Sequence, residues 1–183
     1  MKIRAVFEAF LQRMEGKEVW LDGEEPVSMV LLLRKARVVS LEEWRVAAER
    51  AFGEYFAGEE TARNFVIQAG PFAVMQADVH ALSLSQDMLP YGGRASRGFA
   101  AGLPKAQQRR AWAEHNGWVA VRYSGNVCRL EVEYAAVARL CAELVNGNCV
   151  GVYLPRELVF MPNDEELGRY LRRVGDPAAL RAA

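Results

Sequence analysis

One short run restricts the fold of this chain more than any other feature. Val27 to Leu33 is apolar except at Ser28, with Glu24-Glu25-Pro26 before it and Arg34-Lys35 after it. A run of this kind reads as a strand covered on both faces, because a half-exposed strand would alternate apolar with polar residues. The chain must therefore build a sheet and bury this strand inside it.

The residues that follow sort into elements. Ser40 with Glu43 forms a capping box, in which the Ser oxygen takes an early helix amide and the Glu returns to the cap amide. Trp44, Ala47, Ala48, Ala51 and Phe52 line one face of the helix it opens, and Gly53 can end it. Phe65–Gln68, a Gly70-Pro71 turn and Phe72–Val79 then read as a hairpin. This strand, helix, strand, strand order returns further on. Trp118–Tyr123 alternates as a strand. Val132, Ala136, Val137, Leu140, Cys141 and Leu144 make a helical face over residues 131–145, which Asn146-Gly147 closes as a left-handed cap. Cys149–Leu154 and Leu158–Met161 form the second hairpin, and a closing helix from Asn163, with Glu166 in the capping-box position, buries Leu167, Tyr170 and Leu171. Upstream of the first strand, Ile3, Val6, Phe7, Phe10, Leu11 and Met14 give residues 2–15 one apolar stripe at helical spacing.

These elements predict an α+β fold: a mostly antiparallel sheet with helices on one face, built from two strand–helix–strand–strand halves as in a ferredoxin-like duplication. The 183 residues suit one domain, with a first half of about 26–84, a connecting loop and helix at 85–116, and a second half of about 117–174. Three cysteines with no CxxC pair fit reduced thiols rather than a disulfide framework. No signal peptide or membrane span is visible, and the expectation is a cytoplasmic protein.

The functional signal lies in the connection. Met88 to Ala113 holds no Asp or Glu but five basic residues, Arg94, Arg97, Lys105, Arg109 and Arg110, in a chain that balances 23 basic against 23 acidic residues. About fifteen residues of loop, punctuated by Gly92, Gly93, Gly98 and Gly102, precede a helix expected over Pro104–Glu114. Arginines on such a backbone suit a phosphate or carboxylate, yet neither a P-loop nor a dinucleotide fingerprint is present. Tyr91 and Phe99 flank the arginines, an aromatic and Arg set typical of protein interfaces. The leading expectation is thus a binding or interaction domain for an acidic protein partner or a small anionic ligand, through Tyr91, Arg94, Arg97, Phe99, Arg109 and Arg110. A homodimer is compatible with it, no membrane partner is expected, and neutral overall charge argues against nucleic acid.

A second expectation uses the two histidines. If one strand runs through Gln76, Asp78 and His80, these share a face, and a carboxylate beside an imidazole can serve acid–base chemistry. His115, near a helix end and three residues after Trp112, would join them in a pocket for an anionic ligand or a small enzyme's substrate. Asp78, His80 and His115 are too few ligands for a metal, and no cofactor motif is found. No Gly-x-Ser-x-Gly elbow occurs either. Cys141 and Cys149 read as core, Cys128 as a loop thiol, and no residue stands out as catalytic.

The run from Ala111 to Val121, followed by a helix and by Gly147 to Tyr153, resembles the bacterial domain-of-unknown-function family 4261. The likeness spans about Arg110 to Leu167 and implies no activity. The duplicated order is also similar to that of small effector-binding domains of transcription regulators, by topology alone.

Overall fold

The apolar run becomes an interior strand. In the computed structural model, which describes residues 26–92, 95–126 and 129–176 apart from the side chains of residues 95–97, β1 (Ser28–Leu33) is buried along its whole length. Its neighbours are β5 (Gly117–Tyr123) and β6 (Cys149–Leu154). The remaining strands are β2 (Phe65–Ala69), β3 (Phe72–Ala77), β4 (His80–Asp87) and β7 (Val159–Pro162), giving a seven-stranded sheet of order β2-β3-β4-β5-β1-β6-β7. Every neighbouring pair is antiparallel. The two expected halves therefore share one sheet, and β1 pairs with two strands of the second half.

Helices α1 (Leu41–Phe52), α4 (Leu130–Leu144) and α5 (Glu165–Val174) cover one face. There Met29, Leu31 and Leu33 of β1 meet Trp44, Ala48, Val137, Leu140 and Leu167 in a single apolar cluster. The capping box at Ser40 and Glu43 is formed, and Gly53 ends α1 with φ 71. Arg139 of α4 donates from Nε to the Ala51 carbonyl at 2.7 Å, which satisfies an orphan acceptor at the end of α1.

Several expectations are corrected. Helices do not lie on one face only: α2 (Ala95–Gly102) and α3 (Ala106–Ala113) belong to the opposite side, where Leu103, Trp112, Tyr91 and Phe99 pack with Val30 and Leu32 of β1. A strand apolar on both faces needs cover on both. The fifteen-residue loop is shorter than expected because α2 forms inside it, despite Gly98 and Gly102. Phe99, docked among aromatic rings, supplies the tertiary packing that stabilises so short a helix.

The strand expected over Phe72–Val79 ends at Ala77, and β4 starts after a turn at Asp78-Val79, so the first half carries one strand more than the second. Asp78 adopts φ 53, a region Asp tolerates better than most residues, and its amide donates to Asn64 Oδ1 at 2.8 Å. The chain leaves α4 through Val145 in an extended conformation instead of a left-handed Asn-Gly cap. Asp164, one residue later than expected, caps α5 by accepting from Glu166 N and Leu167 N.

At β6 the ladder to β1 skips between Leu32 and Leu33, leaving Val150 as the extra residue. Gly151 beside it is required by close approach, since a Cβ there would lie 2.5 Å from the Met161 carbonyl oxygen. The expected helix over residues 2–15, Arg94, Cys128, the Arg97 side chain and the tail beyond residue 176 lie outside the described residues.

Candidate functional site

The connector between β4 and β5 folds with its aromatic residues inward. Tyr91 stands edge-on to Trp118 at 5.5 Å between ring centroids and 5.7 Å from Tyr153. Phe99 lies 4.6 Å from Trp112 and 4.9 Å from Tyr153. Trp112 in turn meets Tyr153, Phe160 and His115 at 5.4, 5.2 and 5.3 Å. These are the offset and edge-to-face contacts that aromatic rings favour. Polar contacts lock the same unit. Gln108 Nε2 donates to the Phe160 carbonyl at 2.9 Å, tying α3 to β7. The Tyr91 amide donates to His115 Nε2 at 3.0 Å, and His115 Nδ1 contacts the Trp112 carbonyl. Through these two contacts His115 bridges the start and the end of the connector.

The expected contact residues thus divide. Tyr91 and Phe99 are half-buried anchors of the connector itself, not exposed anchors for a partner. Arg109 turns back: its Nη1 donates to the Leu103 and Pro104 carbonyls at 2.5 and 3.1 Å, closing the end of α2. Arg110 and Lys105 are exposed. Met88 and Leu89, at 59% and 66% exposure, stand in solvent at the start of the same segment. The outer surface is therefore cationic with an apolar margin, over an aromatic underside.

Asp78, His80 and His115 do not converge. Asp78 sits in the β3–β4 turn, paired with Arg63 at 2.8 Å. His80 opens β4 on the helix-covered face, where its Nδ1 lies 3.2 Å from Tyr123 Oη. Burial lowers the His80 pKa from its ordinary 6.5, and the Asp78 charge opposes that shift. His115 belongs to the aromatic cluster on the other face, next to the end of the sheet where Asp87 pairs with Trp118. The run of β4 from His80 to Asp87 separates the two ends by roughly 20 Å at ~3.3 Å per residue. No acid–base pocket joins these residues, because the turn at Asp78 breaks the parity on which it depended.

One cleft escaped the sequence reading. Arg37, Glu42, Glu43, Arg50, Glu143 and Asn146 line a volume of about 230 Å³ between the start of α1 and the end of α4. That is below the ~300–1,000 Å³ of ordinary ligand pockets. Its Glu43 is already committed, accepting from Arg37 Nη1 at 2.5 Å and from the Ser40 amide at 2.9 Å. No sequence signal could have found it, as its walls come from segments about a hundred residues apart.

Cys141 and Cys149 are buried free thiols; burial pushes both upward, Cys149 to about 11. Among the described residues no group of three or more His, Cys, Asp and Glu could hold a metal, and no helix is long and apolar enough to cross a membrane. No protein-family model, curated protein or solved structure matches the chain.

Proposed function

We propose that this protein acts by binding, with the connector over residues 88–110 as its contact surface for an acidic protein face. The observation that carries this reading is the separation of chemistry across the connector. Its aromatic residues are used inward to hold it on the sheet, and Lys105 and Arg110 point their charge to solvent with no acidic residue in Met88–Ala113 to neutralise them. A rigidly mounted cationic surface recognises carboxylates at little ordering cost, and Met88 and Leu89 add apolar area at its margin. A small anion is the alternative occupant. We read the repeated strand–helix–hairpin order as two related, ferredoxin-like halves, with the connector inserted between them. Two buried free thiols accord with a reducing, cytoplasmic setting.

Replacing Arg94, Arg97, Lys105 and Arg110 together by Glu, and keeping Arg109 because it closes α2, tests the proposal. The expected result is loss of salt-sensitive binding to a polyglutamate peptide with the melting temperature unchanged. Undiminished binding by the variant removes the connector as the contact surface. If inorganic phosphate or citrate raises the melting temperature of the parent and polyglutamate does not bind, the small anion is the occupant.

A further inference from the structure

The end of the sheet beside the connector carries more exposed apolar surface than Met88 and Leu89 alone. The segment from Arg34 to Val39 crosses the ends of β5 and β4 and is fixed along its way. The Asn116 amide donates to the Leu33 carbonyl at 2.8 Å, and Asn116 Nδ2 donates to the Arg34 carbonyl at 3.0 Å. Ala36 packs over Gly117, where an added Cβ would lie 2.9 Å from the Ala36 Cα and 3.1 Å from the Asp87 carbonyl oxygen. Val39 then clamps Gln86 of β4: its amide donates to Oε1 at 2.7 Å, and its carbonyl accepts from Nε2 at 3.1 Å. Val38 and Leu41 lie within two residues of this clamp on one strand of chain, and Met88 lies two residues from it on the other, with Leu89 next. Val38 is 51% exposed and Leu41 39%, so four large apolar side chains stand in solvent at one end of the sheet. Such side chains are ordinary when scattered singly and mark interaction sites when gathered.

The charges around this patch point to its occupant. Its acidic neighbours are engaged within the protein: Glu114 pairs with Arg34, Glu43 with Arg37 and Glu42 with Arg45, and Asp87 Oδ1 accepts from the Leu89 amide at 3.1 Å. Lys35, Lys105 and Arg110 are exposed and take no part in an ion pair among the described residues. The Arg34–Glu114 pair ties the segment to the end of α3, and Arg110 stands one turn before Glu114, so patch and basic rim are continuous. We propose that Val38, Leu41, Met88 and Leu89 receive the apolar side chains of an acidic partner segment whose carboxylates meet Lys35, Lys105 and Arg110. This rests on the reading of the connector as a contact for an acidic face, and adds that charge alone does not fill the site. An apolar centre with a charged rim suits a protein segment, in which apolar burial supplies affinity and the rim supplies orientation and speed of encounter.

The test compares two synthetic peptides of equal length and equal glutamate content, one interspersed with leucine and the other with serine. Fluorescence anisotropy should show the leucine peptide binding the parent protein about tenfold more tightly. The triple variant Val38→Ser, Met88→Ser, Leu89→Ser should lose that gain while it binds the serine peptide as the parent does, with its melting temperature unchanged. Equal affinity of the parent for both peptides overturns the apolar site and leaves the acidic contact standing. Binding of neither peptide overturns both. A gain that survives in the triple variant overturns the assignment to this patch. Self-association of the parent that the triple variant loses, without a leucine gain, overturns it by giving the patch to a second copy.

Discussion

The two faces of β1 are covered in different ways. On one side, helices of ten to fifteen residues lay alanine and aliphatic residues on the sheet; α1 has its capping box and left-handed Gly53, and Asp164 caps α5. On the other, two helices of eight residues each are held by Tyr91, Phe99, Trp112, Tyr153 and Phe160, with Gln108 Oε1 accepting from the Lys105 amide at 3.2 Å at the start of α3. The first cover uses local helix signals that packing then reinforces. The second has weak local signals and depends on large aromatic contacts, which is how a glycine-bearing connector becomes a fixed surface.

The largest effect that sharpens this contrast comes from Trp112→Ala. Removing a fully packed aromatic costs about 3–5 kcal/mol. Amide exchange should speed up in α2 and α3 while α1 and α4 stay protected, because Trp112 is the ring that joins Phe99, Tyr153, Phe160 and His115 under the connector. An equal loss of protection in α4 would mean that the two covers are one cooperative unit. Ser40→Ala acts on the other side and is smaller, about 1 kcal/mol by chemical denaturation, since it deletes a side-chain cap. If it loosens the connector as much as α1, the faces are not independent.

The smallest effect is one of pH, and it belongs to the helix face. His80 is held below its ordinary value of 6.5 by burial, so the folded protein binds fewer protons than the unfolded chain below that value. Its contribution is present in full above pH 6.5 and is lost as pH falls through the lowered folded value. Between pH 7 and 5 the melting temperature of the parent should drop further than that of His80→Gln. Identical slopes for the two proteins would exclude His80 as the source.

Much of the fold was legible along the chain, for reasons visible at particular residues. The capping box at Ser40, the apolar stripe of α4 and the burial of β1 on both faces all rest on neighbours within a few positions. The turn at Asp78 was not, because Gln76 to His80 continues a strand pattern, while the reversal is held by contacts of Asp78 with Asn64 and Arg63 and by the Gln76 side chain on the Asp78 carbonyl. That one turn also dissolved the pocket imagined for Asp78, His80 and His115. At the candidate surface, the sequence located the acid-free stretch but not its division. Nothing in the spacing tells that Arg109 closes α2 or that Tyr91 and Phe99 face inward.

Local pattern was enough for the elements with strong periods, the excess of positive charge in the connector and the need to bury β1 on both faces. Long-range packing set which strands neighbour β1, that helices stand on both sides of the sheet, and that Lys105 and Arg110 stay exposed while Arg109 turns back to α2. The difference is one of range. Periodicity and capping act over one or two turns, whereas the assignment of a side chain to core or surface depends on residues that meet only after the sheet has closed around them.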